Sequence, residues 1–195
     1  MSNIDKYDWS DGMPLRVCID AGHGGEDPGT VNGKRYEKDD TLRLALQLGK
    51  ILKANGVDVV YTRTDDIYSS PINKANIGNR LNADYFISIH RNTAIFKKTT
   101  SGVETLVYNK KGMKYKIAKD INDSIAAIGF INRGVKSRKF LTVLYHTNMP
   151  AILIKIGFIT NDSDNILLES KFNEIVEAVA KSFLEAQGLQ YKASL

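Results

Sequence analysis

The chain has 195 residues, of which 43% are hydrophobic and 25% charged, a composition that is ordinary for a globular protein with one sizeable core. No apolar run approaches the roughly 18 residues that span a bilayer, and residues 1–14 lack the apolar stretch of a secretory signal. The net charge of +5 suits an anionic surface, but no dense Lys/Arg block indicates nucleic-acid binding. The single cysteine, Cys18, lies in an apolar run and predicts a buried, unreactive thiol.

Strand-like runs and helical spacings alternate along the chain. The predicted strands are residues 15–20, 57–62, 84–90, 102–108 and 151–156. The predicted helices begin at a cap on Asp39 or Asp40, at Pro71, at Lys114 and at Asp164. Asn55 and Gly56 end the first helix, and the last has a candidate break near Lys171. Residues 141–144 form a further short apolar run.

This β-α-β order predicts a single α/β domain with a twisted, mostly parallel sheet of about six strands flanked by helices. We assign residues 15–188 to this domain, residues 1–14 to an N-terminal extension and residues 189–195 to a C-terminal tail. In such sheets functional groups gather at the carboxyl ends of the strands. Three separate segments bring polar side chains to that edge: His23 follows the first strand, His90 ends the third and Lys155 nearly ends the last.

Two histidines at one sheet edge indicate a metal site. Catalytic zinc sites commonly use three protein ligands and keep one position open. Glu37 is the best placed carboxylate, since it lies between the glycine-rich turn and the start of the next helix. Three other carboxylates compete with it as ligands, namely Glu26, Asp27 and Glu104.

Other candidate groups carry weaker signals. Asp20 is expected to orient His23 from behind, or else to cap the tight turn. His146 lacks a comparable context and is interpreted as a loop residue near the site. The glycines of residues 22–29 match no phosphate-binding pattern, and they are expected to let the backbone bend sharply beside a metal. No Gly-x-Ser-x-Gly elbow occurs, so catalysis by a serine or by Cys18 is weakly supported.

Four segments together resemble the zinc-dependent N-acetylmuramoyl-L-alanine amidases (amidase type 3 family), which cut the bond between sugar and peptide in peptidoglycan. They are DAGHGGEDPG (residues 20–29), EKDDTL (37–42), SIHRN (88–92) and PAILIKIGFITN (150–161). The resemblance runs from about residue 16 to about residue 184. It implies a catalytic domain with one zinc ion (Zn²⁺) held by His23, Glu37 and His90. It also implies a monomer that acts on bacterial peptidoglycan, in the cell wall or outside the cell, as a secreted autolysin or a phage lysin.

The chain departs from the family at Lys155, where the resemblance implies a catalytic glutamate that transfers protons. An ammonium cannot accept a proton from water, so we expect hydrolysis to be severely impaired. The ammonium is expected to turn toward Glu37 or away from the metal. Two alternatives stay open. One is a catalytically silent peptidoglycan-binding or regulatory module with the same fold, and the other is a different metal-dependent hydrolase of small amides.

Wall substrate is expected to lie across a groove bordered by polar loop residues. These predicted substrate contacts are Glu26, Arg91, Asn92 and Asn161. Arg91 is predicted to pair with a peptide carboxylate, and the two asparagines to bond peptide amides. It is equally open that Asn92 and Asn161 only shape turns.

Overall fold

The computed structural model describes residues 14–94 and 99–193. Its strands are β1 (Arg16–Ala21), β2 (Val31–Asn32), β3 (Arg35–Tyr36), β4 (Asp58–Tyr61), β5 (Tyr85–Asn92), β6 (Val103–Val107), β7 (Asn132–Ser137) and β8 (Ala151–Phe158). Its helices are α1 (Glu37–Ala54), α2 (Pro71–Arg80), α3 (Gly112–Ile128), α4 (Thr142–Tyr145), α5 (Asp162–Ser170) and α6 (Phe172–Ala186). Residues 1–13 of the predicted extension and the last two residues of the predicted tail lie outside the described residues, so those boundaries stay predictions.

Six of the strands form one sheet, in the order β4-β1-β5-β8-β6-β7. The four strands β4, β1, β5 and β8 run parallel to one another. Strand β6 is antiparallel to β8, and β7 runs parallel to β6. The predicted α/β domain with a mostly parallel sheet is therefore confirmed. Strands β2 and β3 form a separate antiparallel pair just before α1.

The two faces of this sheet are covered unequally. On one face α1, α3 and α6 bury a large apolar cluster that includes Ile19, Ile87 and Ile154, each fully buried. On the other face a smaller cluster from α2 and α4 packs over Phe86 and Leu153. Full burial of such side chains stabilises the fold by about 1.5–3 kcal/mol each. Beyond the smaller cluster, the second face of β8, β6 and β7 carries polar side chains, which matters for the site described below.

Cys18 lies in the smaller cluster and is buried, as predicted. Burial, together with the nearby charge of Asp20, raises the pKa of the Cys18 thiol to about 12, so the thiol is unreactive at neutral pH. Across residues 14–94 and 99–193, no helix has both the length and the apolar character that crossing a membrane requires.

The sequence does not predict three local features. Helix α1 begins at Glu37, before Asp39 and Asp40, and its N-cap residue Tyr36 makes no side-chain cap, so the predicted aspartate cap is wrong. Strand β7 has one buried residue, Val135, and lacks the apolar alternation of a strand. The apolar run 141–144 becomes the short helix α4. The predicted break near Lys171 is confirmed, since that residue separates α5 from α6.

Candidate metal centre and the adjoining groove

The glycine-rich turn after β1 presses its backbone against the histidine rings. A Cβ atom at Gly22 would stand 2.4 Å from Cε1 of His90, and one at Gly29 would stand 2.6 Å from Cδ2 of His23. His23 itself has a φ of 60°, in the left-handed region that residues with a side chain seldom adopt. Glycines are therefore required here because the ring positions leave no room for a side chain.

Three side chains bring one donor atom each to a common point. The donor atoms of His23, Glu37 and His90 all lie within 4.8 Å of one another. Nδ1 of His90 is 3.0 Å, and Nε2 of His23 is 3.3 Å, from Oε1 of Glu37. Glu37 is 3% exposed, while both rings are partly exposed. Two imidazole nitrogens and one carboxylate form a donor set that fits a divalent cation, so these side chains could hold a metal ion.

Further hydrogen bonds fix the orientation of these side chains. Oδ2 of Asp27 lies 2.8 Å from Nδ1 of His23. The other ring nitrogen of His23, Nε2, therefore points toward Glu37. Oε2 of Glu37 accepts a hydrogen bond of 3.0 Å from the backbone N–H of Thr30, and Oε1 accepts one of 3.0 Å from that of Arg91. A carboxylate on the far nitrogen of a histidine is a common way to fix the tautomer of a metal ligand.

Asp20 does not orient His23, contrary to the expectation from sequence. It is 1% exposed and pairs with the ammonium of Lys74 at 3.0 Å. It also accepts hydrogen bonds from the side-chain hydroxyls of Thr62 and Ser88. Lys74 in turn donates to the carbonyl oxygens of Ala21, at 2.6 Å, and of His23, at 3.2 Å. Asp20 thus supports the backbone of the turn through Lys74, and the position behind the His23 ring belongs to Asp27.

The charges of these groups reinforce one another. Burial opposes ionisation of Glu37, but hydrogen bonds with His23 and His90 outweigh it and hold the pKa of Glu37 well below its ordinary value. Burial likewise disfavours a charged His23 ring, yet its contacts with Glu37 and Asp27 raise the pKa of His23. Because a metal ligand must be a neutral imidazole, metal binding at His23 would compete with this proton.

The other candidate ligands lie elsewhere. Glu26 is exposed on the turn, and Asp27 is occupied behind His23. Glu104 lies beyond Lys155 on the next strand and pairs with Lys136. His146 follows α4, where its ring packs against Tyr145 with centroids 4.8 Å apart, and it does not belong to the group of three donors.

Lys155 lies beside His90 on the less covered face of the sheet. It is the register partner of His90 on β5 and of Glu104 on β6. Side chains of register partners point to the same face, so these three form one row. Nζ of Lys155 lies 3.4 Å from Oδ1 of Asn92. Among the residues that the structure describes, Lys155 forms no ion pair with Glu37 or with another carboxylate.

The side chain of Arg91 is buried in the interior, and this corrects the predicted substrate contact. Its side chain is 0% exposed and forms an ion pair with Asp40 of α1. It also donates to Oδ1 of Asn165 at 2.7 Å and to the carbonyl oxygen of Gly157 at 3.4 Å. In this conformation the guanidinium is unavailable to a peptide carboxylate. It instead joins α1, α5 and β8 around the strand that carries His90.

We predict that Arg91→Met lowers the free energy of unfolding by about 1–3 kcal/mol, because the buried Asp40 carboxylate loses one of its cationic partners and keeps Arg35, which bonds it at 2.7 Å. Urea denaturation followed by circular dichroism measures this change. Lys119→Met is the matched control, since it removes an exposed partner of Asp123 on the surface of α3 and should change stability little. A loss for Arg91→Met no larger than that of the control would contradict the structural role of the buried pair.

The remaining predicted substrate residues have local partners. Asn92 is 6% exposed, and its Oδ1 accepts a hydrogen bond of 3.0 Å from the backbone of Thr93. Asn161 is 9% exposed and caps α5, where its Oδ1 accepts a hydrogen bond of 3.0 Å from the backbone of Asp164. These contacts shape a turn and a helix end. Contact of Asn92, Asn161 or the exposed Glu26 with substrate stays a prediction.

Both the sequence and the fold match proteins of one known family. Residues 17–185 match the family model described as N-acetylmuramoyl-L-alanine amidase. The chain is 35% identical over 186 residues to the sporulation-specific N-acetylmuramoyl-L-alanine amidase of Bacillus subtilis, which covers 93% of this chain and 69% of that protein. It is 34% identical over 188 residues to the endolysin of Bacillus phage SPP1, again covering 93% and 69%. An N-acetylmuramoyl-L-alanine amidase structure from Clostridium difficile 630 superposes with a TM-score of 0.81 and 36% identity, covering 88% of this chain and 96% of that one. The chain therefore belongs to the N-acetylmuramoyl-L-alanine amidase family.

Proposed function

We propose that this chain is a peptidoglycan amidase domain with a complete zinc site, and that Lys155 impairs its hydrolysis of the amide between N-acetylmuramic acid and L-alanine. The observation that carries the proposal is the convergence of His23, Glu37 and His90 beside the row that contains Lys155. Membership of the amidase family supports the substrate and an action in the bacterial wall or outside the cell. All the proposed site residues belong to one copy of the chain, so a monomer suffices.

In this proposal His23, Glu37 and His90 hold the zinc ion, and Asp27 holds the His23 ring in the required tautomer. When bound, zinc supplies Lewis acidity, which polarises an amide carbonyl and lowers the pKa of water toward about 7. The chain must supply a group that accepts a proton from the attacking water and returns one to the departing amine. The resemblance to the family assigns that part to the position of Lys155.

Lys155 is poorly suited to this transfer of protons. An ammonium offers three N–H donors and no lone pair, so it cannot accept a proton. Its charge also opposes the positive charge that develops on a departing amine. Glu104, the next carboxylate in the row, is a weak substitute. Burial raises its pKa, but the contact with Lys136 and further contributions from Asn92 and Lys155 outweigh burial and hold the pKa of Glu104 below its ordinary value.

Lys155 also favours a second candidate function, a catalytically silent module that binds peptidoglycan or regulates another wall enzyme. Such a module would keep the fold and the metal ligands without the reaction. The two candidates differ in what a carboxylate at position 155 would do: it should restore hydrolysis in an impaired amidase, but not in a module that has lost other catalytic features.

Product analysis tests the proposed reaction. Intact peptidoglycan sacculi are incubated with zinc-loaded Lys155→Glu protein, and the released material is analysed by mass spectrometry and by labelling of new amino termini. We expect free peptides that begin with L-alanine, together with glycan strands of unchanged length. New reducing sugar ends, or cleavage inside the peptide, would assign another bond. Hydrolysis of small amides without release from sacculi would favour a different metal-dependent hydrolase.

A further inference from the structure

Three cations surround one carboxylate on the less covered face of the sheet. Glu104 of β6 is the register partner of Lys155 on β8. From the neighbouring strand β7, Lys136 forms an ion pair with Oε2 of Glu104, and Nε of Arg133 lies 3.9 Å from the same oxygen. We refer to Lys155, Lys136 and Arg133 as the cationic row. Glu104 supplies one negative charge near these three positive charges, so the cationic row and Glu104 together carry a surplus of positive charge.

The cationic row keeps hydrogen-bond donors available. The contact of Lys155 with Oδ1 of Asn92 is long, at 3.4 Å, whereas an ammonium can donate three hydrogen bonds. The side chains of Lys136 and Arg133 are 35% and 33% exposed, and so remain accessible to solvent. Nη1 of Arg133 donates one hydrogen bond of 3.2 Å to the carbonyl oxygen of Ser101, which leaves further N–H groups of its guanidinium available. Partly exposed cations with spare donors favour an anionic ligand, because charge-assisted hydrogen bonds are stronger than those between neutral groups.

The position of the cationic row relative to the candidate metal centre indicates which anion the cationic row would bind. Lys155 is one strand away from His90, and Lys136 lies two strands beyond Lys155. Neighbouring strands are about 4.8 Å apart, and an extended peptide advances about 3.3 Å per residue. A peptide with its first amide at His90 that runs across the strands in this direction would reach Lys155 and Lys136 with its next few residues.

We propose that the cationic row is a carboxylate-binding subsite for the peptide part of the substrate. The proposal rests on the proposed function, because the peptide of peptidoglycan supplies the carboxylate. It deepens that function by adding a specificity: this chain should prefer peptides with free carboxylates to peptides with amidated ones. The residues involved are this chain's own, and Lys155 adds its charge to the subsite at the expense of proton transfer.

Titration calorimetry with two soluble ligands of the same shape tests this preference. One ligand is N-acetylmuramoyl-L-alanyl-D-glutamate, a diacid, and the other is the corresponding uncharged diamide. At low salt the zinc-loaded chain should bind the diacid at least about ten-fold more tightly than the diamide, as expected for charge-assisted hydrogen bonds. Added salt should reduce this ratio, since partly exposed charges are screened. The preference should persist after treatment with EDTA, because it does not arise from a metal ion.

Two variants locate the preference. Lys136→Gln and Arg133→Gln should each reduce the affinity ratio several-fold, and thermal melting checks that each variant folds. The control Lys119→Gln makes the same change of charge on the surface of α3, where Lys119 pairs with Asp123, and should keep the full ratio. Equal affinities for the two ligands, no binding of the diacid, or an unchanged ratio in both variants would overturn the subsite.

These outcomes are separate from those for the proposed function, because no hydrolysis is measured. An amidase without the carboxylate preference would still release peptides that begin with L-alanine when position 155 is glutamate. A chain that prefers the diacid but never releases such peptides would retain the subsite and refute the proposed reaction.

Discussion

Replacing His23 with alanine is expected to weaken zinc binding by more than about 100-fold. Loss of a residue that only hydrogen-bonds a metal ligand usually costs about 10–100-fold in affinity, and loss of a ligand itself should cost more. The reason is that the variant removes one of three converging donors and leaves Glu37 and His90 alone. Competition with a chromophoric zinc chelator measures the affinity, and the visible spectrum of the cobalt-substituted protein reports the ligand set.

The third histidine of the chain provides a matched control for this experiment. His146 packs against Tyr145 and lies outside the donor group, so His146→Ala should keep the affinity and the cobalt spectrum. Unchanged zinc affinity in His23→Ala, or an equal loss in both variants, would show that the zinc site is elsewhere.

Replacing Lys155 with glutamate is expected to raise the rate of amide hydrolysis by about 10²–10⁴-fold, the usual contribution of a general base. A carboxylate at this position can accept a proton beside His90 and can stabilise a positive charge on the departing amine. The initial rate of release of new amino termini from a soluble muramoyl peptide, at saturating zinc, measures the gain.

Lys155→Gln separates the effect of charge from that of proton transfer. It removes the positive charge without supplying a base, so its rate should stay far below that of Lys155→Glu. Brisk hydrolysis by the unaltered chain, unchanged or reduced in Lys155→Glu, would refute the role of position 155. Another base would then be needed, and Glu104 would be the first to examine, since it is the register partner of Lys155.

The fold was predictable where local pattern and tertiary environment agree. The buried strands β1, β5 and β8 appear in the sequence as short apolar runs, and their order with the helices predicts a mostly parallel sheet. Strand β7 was not predictable in this way, because it pairs with β6 at the edge of the sheet and Val135 is its one buried residue. As a result, sequence reasoning also missed Lys136 and Arg133, the β7 side chains that surround Glu104.

Some residues of the candidate site could likewise be predicted from the sequence, and others could not. The three donors of the metal centre follow from strand ends and from family resemblance, and the structure brings them together. The orienting carboxylate does not follow from sequence. Asp20 and Asp27 flank the same turn, and only the folded backbone shows that Asp27 reaches the His23 ring while Asp20 binds Lys74.

Arg91 illustrates the same limit. It follows His90 directly, and its neighbourhood in sequence suggests a group at the groove. Strand alternation turns its side chain to the opposite face, where Asp40 and Asn165 hold it in the interior. The partners that decide its role come from α1 and α5, so no local pattern around residue 91 contains them.

We infer that His23, Glu37 and His90 form a metal centre with Lys155 beside it. A crystal structure of the zinc-loaded protein, with an anomalous difference map recorded at the zinc edge, tests it most directly. We expect one strong peak between Nε2 of His23, Oε1 of Glu37 and Nδ1 of His90, with Lys155 next to His90 on the adjacent strand. A map without a peak there, or with the principal zinc bound by other side chains, would contradict it.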